Sequence, residues 1–291
     1  MAQITAALVK QLREMTSSPM MECKKALVEA DGDIDAAIDI LRKMGAAKSV
    51  KKAGRATNEG AVMAYVSEDG SKGALAELKC ETDFVSGTDN FKSLATKVAE
   101  AAAVNTPTTI EELQACPIDG ETVADLITEG VHNMGENMTL TRFARIETTG
   151  GYVSSYIHMG GKIGSLVEFA VTKQETLTSD AFKAAAHDVA MQVAAARPVA
   201  VSRENVPQDV IDHELSIYRA QAAESGKPAN IQEKIVNGSL EKYFKENTLV
   251  AQQFVKNPEQ TIEQYLAACG KELGDTITVK RFECFALGEE D

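Results

Sequence analysis

Apolar residues recur along this chain at two spacings, and the spacing switches from segment to segment. In the first 45 or so residues the period is helical. Ile4, Leu8, Leu12 and Met15 share one face, and Ile34, Ala37, Ile38 and Leu41 follow the i, i+3, i+4, i+7 rule. Between them Ser18 is placed to cap a second helix, with Pro19 at its first position. Asp31-Gly32 suits the left-handed end of that helix, and Asp33 can cap the third. Helices this short bury their stripes only against one another, so the pattern predicts a small three-helix bundle. A basic stretch follows, with Arg42, Lys43, Lys48, Lys51, Lys52 and Arg55. It reads either as a solvated linker or as a contact for an acidic partner.

Period two then takes over. Residues 61–66 and 74–80 are predicted strands around a turn at Asp69-Gly70. A helix with Phe91, Leu94, Ala95, Val98 and Ala102 on one face comes next, then a shorter one with Val123, Leu126 and Ile127, then a strand at 138–146. The series restarts with strands at 152–157 and 163–171 and a helix carrying Phe182, Ala186, Val189 and Val193, stopped by Pro198.

The second series copies the first. At an offset of 91, 14 of the 44 positions from 60 to 103 are identical, too many for coincidence; Gly70, Gly73, Leu75, Glu77, Phe91 and Val98 pair with Gly161, Gly164, Leu166, Glu168, Phe182 and Val189. The repeated glycines read as hairpin-turn positions. Gly135, Thr139, Arg142 and Phe143 match Gly274, Thr278, Arg281 and Phe282 at an offset of 139, so the second copy holds about 48 further residues. Ile211, Leu215, Tyr218 and Ala222, spaced 4-3-4, supply a coiled-coil seam. Gly226-Lys227-Pro228 turns the chain, and Ile231, Ile235, Leu240 and Phe244 return. The expected architecture is α+β: a three-helix bundle with its basic linker at 1–55, a first core subdomain at 56–149, a second at 150–206 and 248–291, each with a small antiparallel sheet and helices, and an inserted antiparallel helical hairpin at 207–247.

Within the copied frame one stretch has no likeness: Thr82-Asp83-Phe84-Val85 faces Lys173-Gln174-Glu175-Thr176. A duplicated scaffold that differs in one connection points to that connection for the specific chemistry. Phe84 reads either as a cap on the core or as a protruding aromatic anchor beside a carboxylate. Met20-Met21 is a second candidate. Adjacent helical residues do not share a face, so one of the pair is expected to show.

Composition narrows the classes. A net charge of −13 argues against a nucleic-acid or membrane surface as partner. The apolar runs fall short of the roughly 20 residues that span a bilayer, and residues 1–5 lack a basic n-region and an apolar h-region. Five scattered cysteines, without a Cys-x-x-Cys, fit a reducing compartment, so a cytoplasmic protein is expected. No phosphate-binding loop, zinc-protease helix or nucleophile elbow occurs in the sequence. Cys80 alternates with Leu78 and Ala76 and reads as core; His132, His187 and His213 read as surface or boundary residues. Catalysis by the chain's own side chains, a bound cofactor and a metal are not expected.

These residues resemble the bacterial elongation factor Ts family over nearly the whole chain. The resemblance rests on Met20-Met21-Glu22-Cys23-Lys24-Lys25-Ala26-Leu27, Asp31-Gly32-Asp33, Cys80-Glu81-Thr82-Asp83-Phe84-Val85, Tyr156-Ile157-His158 with Gly161-Lys162-Ile163-Gly164, and Gly226-Lys227-Pro228. It implies a guanine-nucleotide exchange factor for the GTPase elongation factor Tu, with N-terminal helices of the ubiquitin-associated type. By residue match it implies that Arg13, Met20 and Met21 grip the GTPase domain. Phe84 would wedge between helices of that domain while Asp83 disturbs the Mg²⁺ environment, the whole Thr82, Asp83, Phe84 and Val85 stretch inserting beside the nucleotide. His158 would meet another domain of the partner. The core and the hairpin are candidate surfaces for a homodimer. Two departures stand out. Thr16-Ser17-Ser18-Pro19 replaces the family's usual Thr-Gly-Ala-Gly, and the chain stops at Leu287-Gly288-Glu289-Glu290-Asp291, which predicts no further C-terminal helix contact. The rival expectation is a non-catalytic module that binds a ubiquitin-like fold or a nascent chain, in which Asp83 and Phe84 would have no role.

Overall fold

The computed structural model describes residues 4–16 and 18–289. Ser17, Glu290 and Asp291 lie outside these, and with them part of the expectations on the turn before Met20 and on the chain end. Mixed helices and small antiparallel sheets make the fold α+β.

Three helices open it: α1 (Ala6–Thr16), α2 (Met20–Glu29) and α3 (Ile34–Lys52). They enclose Val9, Leu12, Cys23, Ala26, Leu27, Ala37 and Leu41. Asp33 caps α3 by accepting from the Ala36 amide at 2.9 Å. The Ser18 cap does not form. Pro19 itself takes the cap position. Ser18 is buried and its hydroxyl lies 3.3 Å from Asn133 Oδ1, so that group is used to dock the bundle. The basic stretch, expected as a linker, is helical through Lys52. Three of its charges have partners on the core: Arg42 pairs with Glu121, Lys52 donates to the Val131 carbonyl, and Arg55 pairs with Glu81.

The first copy contains β1 (Glu59–Val66), β2 (Lys72–Cys80), the one-turn helix α4 (Asp83–Ser86), α5 (Asp89–Asn105), α6 (Ile110–Ala115), the two-residue strands β3 (Pro117–Ile118) and β4 (Glu121–Thr122), α7 (Val123–Met134) and β5 (Met138–Glu147). The second contains β6 (Gly151–His158), β7 (Ile163–Val171), a 3₁₀ turn (Gln174–Thr178), α8 (Asp180–Ala196), the hairpin α9 (Gln208–Glu224) and α10 (Ala229–Asn247), β8 (Gln253–Phe254), β9 (Asn257–Thr261), α11 (Ile262–Leu273) and β10 (Ile277–Ala286). Helices α6 and α11 were not singled out by the sequence pattern. The sheets run β1-β2-β5 and β6-β7-β10, all antiparallel.

Each sheet is covered on one face by its long helix, α5 or α8, and the other faces meet around Val62, Leu75, Ile146, Val153, Leu166 and Phe285. The contact is reciprocal, as about a two-fold axis. The Val62 amide donates to the Gly161 carbonyl and the Val153 amide to the Gly70 carbonyl, both at 2.8 Å. Gly73 and Gly164 are not turn residues. They sit in β2 and β7, where a Cβ on Gly73 would come within 2.8 Å of Val153 and one on Gly164 within 2.6 Å of Val62. These glycines recur because the sheets approach closely, a second use of the missing side chain.

In the hairpin, Ala222, Val236 and Phe244 are buried, and Ile211 and Leu240 pack at its base beside Val210 and Tyr243. The return helix therefore buries Val236 in place of the expected Ile235, which is only half-buried.

Candidate functional site

The connection after β2 is a capped helical turn. Thr82 Oγ1 accepts from the Val85 amide at 3.4 Å, and the Thr88 hydroxyl donates to the Val85 carbonyl at 2.8 Å. Ser86 is buried and Val85 packs on the core below. The four residues divide accordingly. Thr82 and Val85 are half-buried anchors, whereas Asp83 and Phe84 point to solvent, with Phe84 85% exposed. The reading of Phe84 as a core cap is thus excluded. Burying such a ring would stabilise by about 1.5–3 kcal/mol, and the turn leaves that apolar area in water.

Two carboxylates fix the turn from below. Glu136, in the α7–β5 connection, accepts from the Glu81 and Thr82 amides at 3.1 and 3.0 Å and from the Thr82 hydroxyl at 2.6 Å. Glu81 in return accepts from the Asn137 amide at 2.6 Å. That amide, with Arg55 beside it, holds the Glu81 carboxyl below the usual carboxylate range. Sequence reasoning missed Glu136. The available signal was its partner at the offset of 139, Asp275, which follows the matched glycine in the same way.

Met20 and Met21 both stand exposed, at 50% and 64%. One of the pair was expected to show and both do, because Cys23, Ala26 and Leu27 fill the bundle face of α2. Exposed Val28, seven residues on, extends Met21 into an apolar stripe beside Lys24 and Lys25. Arg13 is exposed on α1.

His158 is exposed at the β6–β7 tip, 3.3 Å from the Tyr156 hydroxyl, next to Met159, which is also exposed. The tip reaches the first copy: Lys162 Nζ lies 2.8 Å from Glu59 Oε2, and Glu59 is opposite Cys80 in the β1–β2 register. This places the His158 tip at the same end of the first sheet as the Thr82–Val85 turn.

His132 is not a surface residue. It is 5% exposed, pinned between α7 and the bundle, with Gly45 of α3 against its Cβ. Its Nε2 lies 3.0 Å from Glu22 Oε2, too far out of line for a hydrogen bond. Burial lowers its pKa, against the attraction of Glu22 and with the repulsion of Lys48 and Lys52.

Cys80 is fully buried, and burial, with the Glu136 charge, pushes its thiol up to about 11. A thiol so held is a poor nucleophile. Among the described residues there is no cluster of metal-ligating side chains and no helix long and apolar enough to cross a membrane.

Against known proteins, the family model described as Elongation factor TS matches residues 81–289. The elongation factor Ts of Trichlorobacter lovleyi is 47% identical over 289 residues, covering 98% of this chain and 93% of the relative. That of Clostridium botulinum type A is 44% identical over 289 residues with the same coverage, and that of a type E3 strain is 45% identical over 287.

Proposed function

The chain belongs to the elongation factor Ts family, and from that premise we propose that it is a guanine-nucleotide exchange factor of translation elongation, acting on the GTPase elongation factor Tu. The observation that carries the reading is the exposed Phe84 on its capped turn, beside Asp83. The factor works by coupling, and makes or breaks no covalent bond. A protein that binds the nucleotide-free partner better than the loaded one weakens nucleotide binding by the factor that nucleotide weakens its own.

In this reading Phe84 enters an apolar gap of the GTPase domain and Asp83 disturbs the Mg²⁺ that neutralises the nucleotide phosphates. Thr82 and Val85 hold the turn. Arg13, Met20 and Met21 grip the same domain, and His158 meets a second one. Apolar burial at the Met21–Val28 stripe offsets the cost of forcing the ring in. The three N-terminal helices are read as a ubiquitin-associated type of grip, with 1–55, 56–149, the two segments 150–206 and 248–291, and 207–247 as the working units.

The test is release of a fluorescent GDP from elongation factor Tu, with substoichiometric factor and excess unlabelled GDP. Multiple-turnover acceleration is expected, reduced about 10-fold or more by Phe84→Ala, as for an interface anchor worth about 2 kcal/mol. Complex formation without acceleration would overturn the exchange reading. The charge role of Asp83 fails separately if Asp83→Asn keeps most of the activity.

A further inference from the structure

The turn Gly135–Asn137, between α7 and β5, holds two regions at once. On one side the Glu136 carboxylate takes three hydrogen bonds from Glu81 and Thr82, at the root of the Phe84 turn. On the other, the Asn137 side-chain amide donates to the Arg55 carbonyl at 2.8 Å and the Ala53 carbonyl at 3.5 Å, just past the end of α3. The Arg55 guanidinium closes the ring on Glu81, 3.3 Å away. The N-terminal bundle, with Met20 and Met21, and the Phe84 turn are therefore fastened to adjacent residues of one short connection.

The second copy shows which part of this is scaffold. Asp275, the counterpart of Glu136, accepts from the Thr172 and Lys173 amides at 3.0 and 3.1 Å and from the Thr172 and Thr176 hydroxyls. It performs the same local task at a turn that carries no exposed aromatic. The counterpart of Asn137 is Thr276, which has no carboxamide to donate. The clamp is thus duplicated, and the carboxamide tie exists only where a second contact region must be aligned.

We propose that Glu136 and Asn137 are positioning residues for exchange: together they fix the Phe84 turn relative to the N-terminal grip, so that energy from binding at Met20-Met21 is delivered at Phe84. This rests on the exchange reading above. Misplacing a reacting or wedging group by about 1 Å is enough to cost up to 10²-fold in rate. Loosening either tie should spare partner binding and lower the rate at saturation.

The experiment measures fluorescent GDP release at saturating full-length factor, and the half-saturating concentration, for Glu136→Ala, Asn137→Ala, Glu136→Asp and Asp275→Ala, each also combined with Phe84→Ala. Thermal unfolding of every variant is followed in parallel. Expected are an about 10-fold fall in the saturated rate for Glu136→Ala and Asn137→Ala, with half-saturation moved less than about 3-fold. Glu136→Asp should recover most of the rate. With Phe84 already removed, the same changes should have less than about a 2-fold effect, since they act through that ring. Equal losses with and without Phe84, or an equal loss from Asp275→Ala, would overturn the proposal in favour of plain scaffolding. Parent-like rates for both alanine variants would overturn it too. A parent chain that fails to accelerate release defeats the exchange reading itself, whereas a Phe84→Ala variant that keeps the parent rate overturns delivery at Phe84 alone, so the two failures are distinguishable.

Discussion

Residue 84 in the first copy and residue 175 in the second hold the same place in the same frame, one turn past the middle strand and just before the long helix. In the first copy it is a phenylalanine, exposed on a capped α-turn; in the second it is Glu175, exposed on a 3₁₀ turn whose Thr176 is buried and whose Leu177 packs on the core. The carboxylate clamps beneath are alike. The ion pairs one strand away are not. A bulge at Thr141 sets Arg142 opposite Glu77, and a bulge at Lys280 sets Arg281 opposite Glu168. Glu77 is 1% exposed and takes bonds from Arg142 at 3.0 and 3.2 Å and from Thr141 at 2.7 Å, whereas the Arg281 guanidinium is half in solvent. Duplication kept the backbone devices and freed individual side chains for unequal work.

The two ion pairs should separate the copies most. Arg142→Ala strips the closer cation from buried Glu77, leaves it only Lys79 at 3.6 Å, and is expected to cost about 3 kcal/mol. Arg281→Ala should cost about 1 kcal/mol or less. Urea unfolding of both variants decides it, and equal losses would mean that burial does not distinguish the copies.

The turns come next. Phe84→Ala should lower exchange about 10-fold while leaving stability within about 0.5 kcal/mol, as for an exposed site; Glu175→Ala should change neither. GDP release beside a melting curve reads both properties, and a destabilised Phe84→Ala would return the ring to the core. The glycines test the symmetry. Gly73→Ala and Gly164→Ala should each cost about 1–3 kcal/mol through overpacking between the sheets. A large difference between them would show that one sheet yields and the other does not.

The mildest effect concerns His132, which only the first copy has, docked under the bundle. Its folded pKa lies below the ordinary value of about 6.5. The unfolded state then binds the proton more readily, so the stability His132 brings is complete above that value. It is lost as pH falls from there through the lowered folded value. Protection of the α3 and α7 amides against hydrogen exchange should therefore decline over that window, and His132→Gln should flatten the decline. An unchanged slope would remove His132 from the docking.

Much of the frame was legible in the sequence because it is periodic. The strands and long helices stood out from spacing, and the offset of 91 exposed the copy. The Thr82–Val85 stretch was found by failing to match. What periodicity cannot express was missed. A run of basic residues reads as a linker, yet Arg42, Lys52 and Arg55 find acceptors that exist only once α3 lies on α7. Both methionines of α2 were left outside because Cys23, Ala26 and Leu27 already fill the bundle face. Glu136 and Asn137 sit in an aperiodic turn, where hydrogen bonds to residues more than 50 positions away leave no trace in local pattern.

The paired bonds between Val62 and Gly161 and between Val153 and Gly70 also set a timetable. The ribosome adds roughly 5–20 residues per second, and the matching segment of the second copy trails the first by 91 residues. For about 5–20 s on that scale, the β1–β2 hairpin has been made while the β6–β7 hairpin that covers its other face has not. Each molecule of this factor thus passes through synthesis with half of its inter-sheet core uncovered, waiting for its own duplicate to emerge.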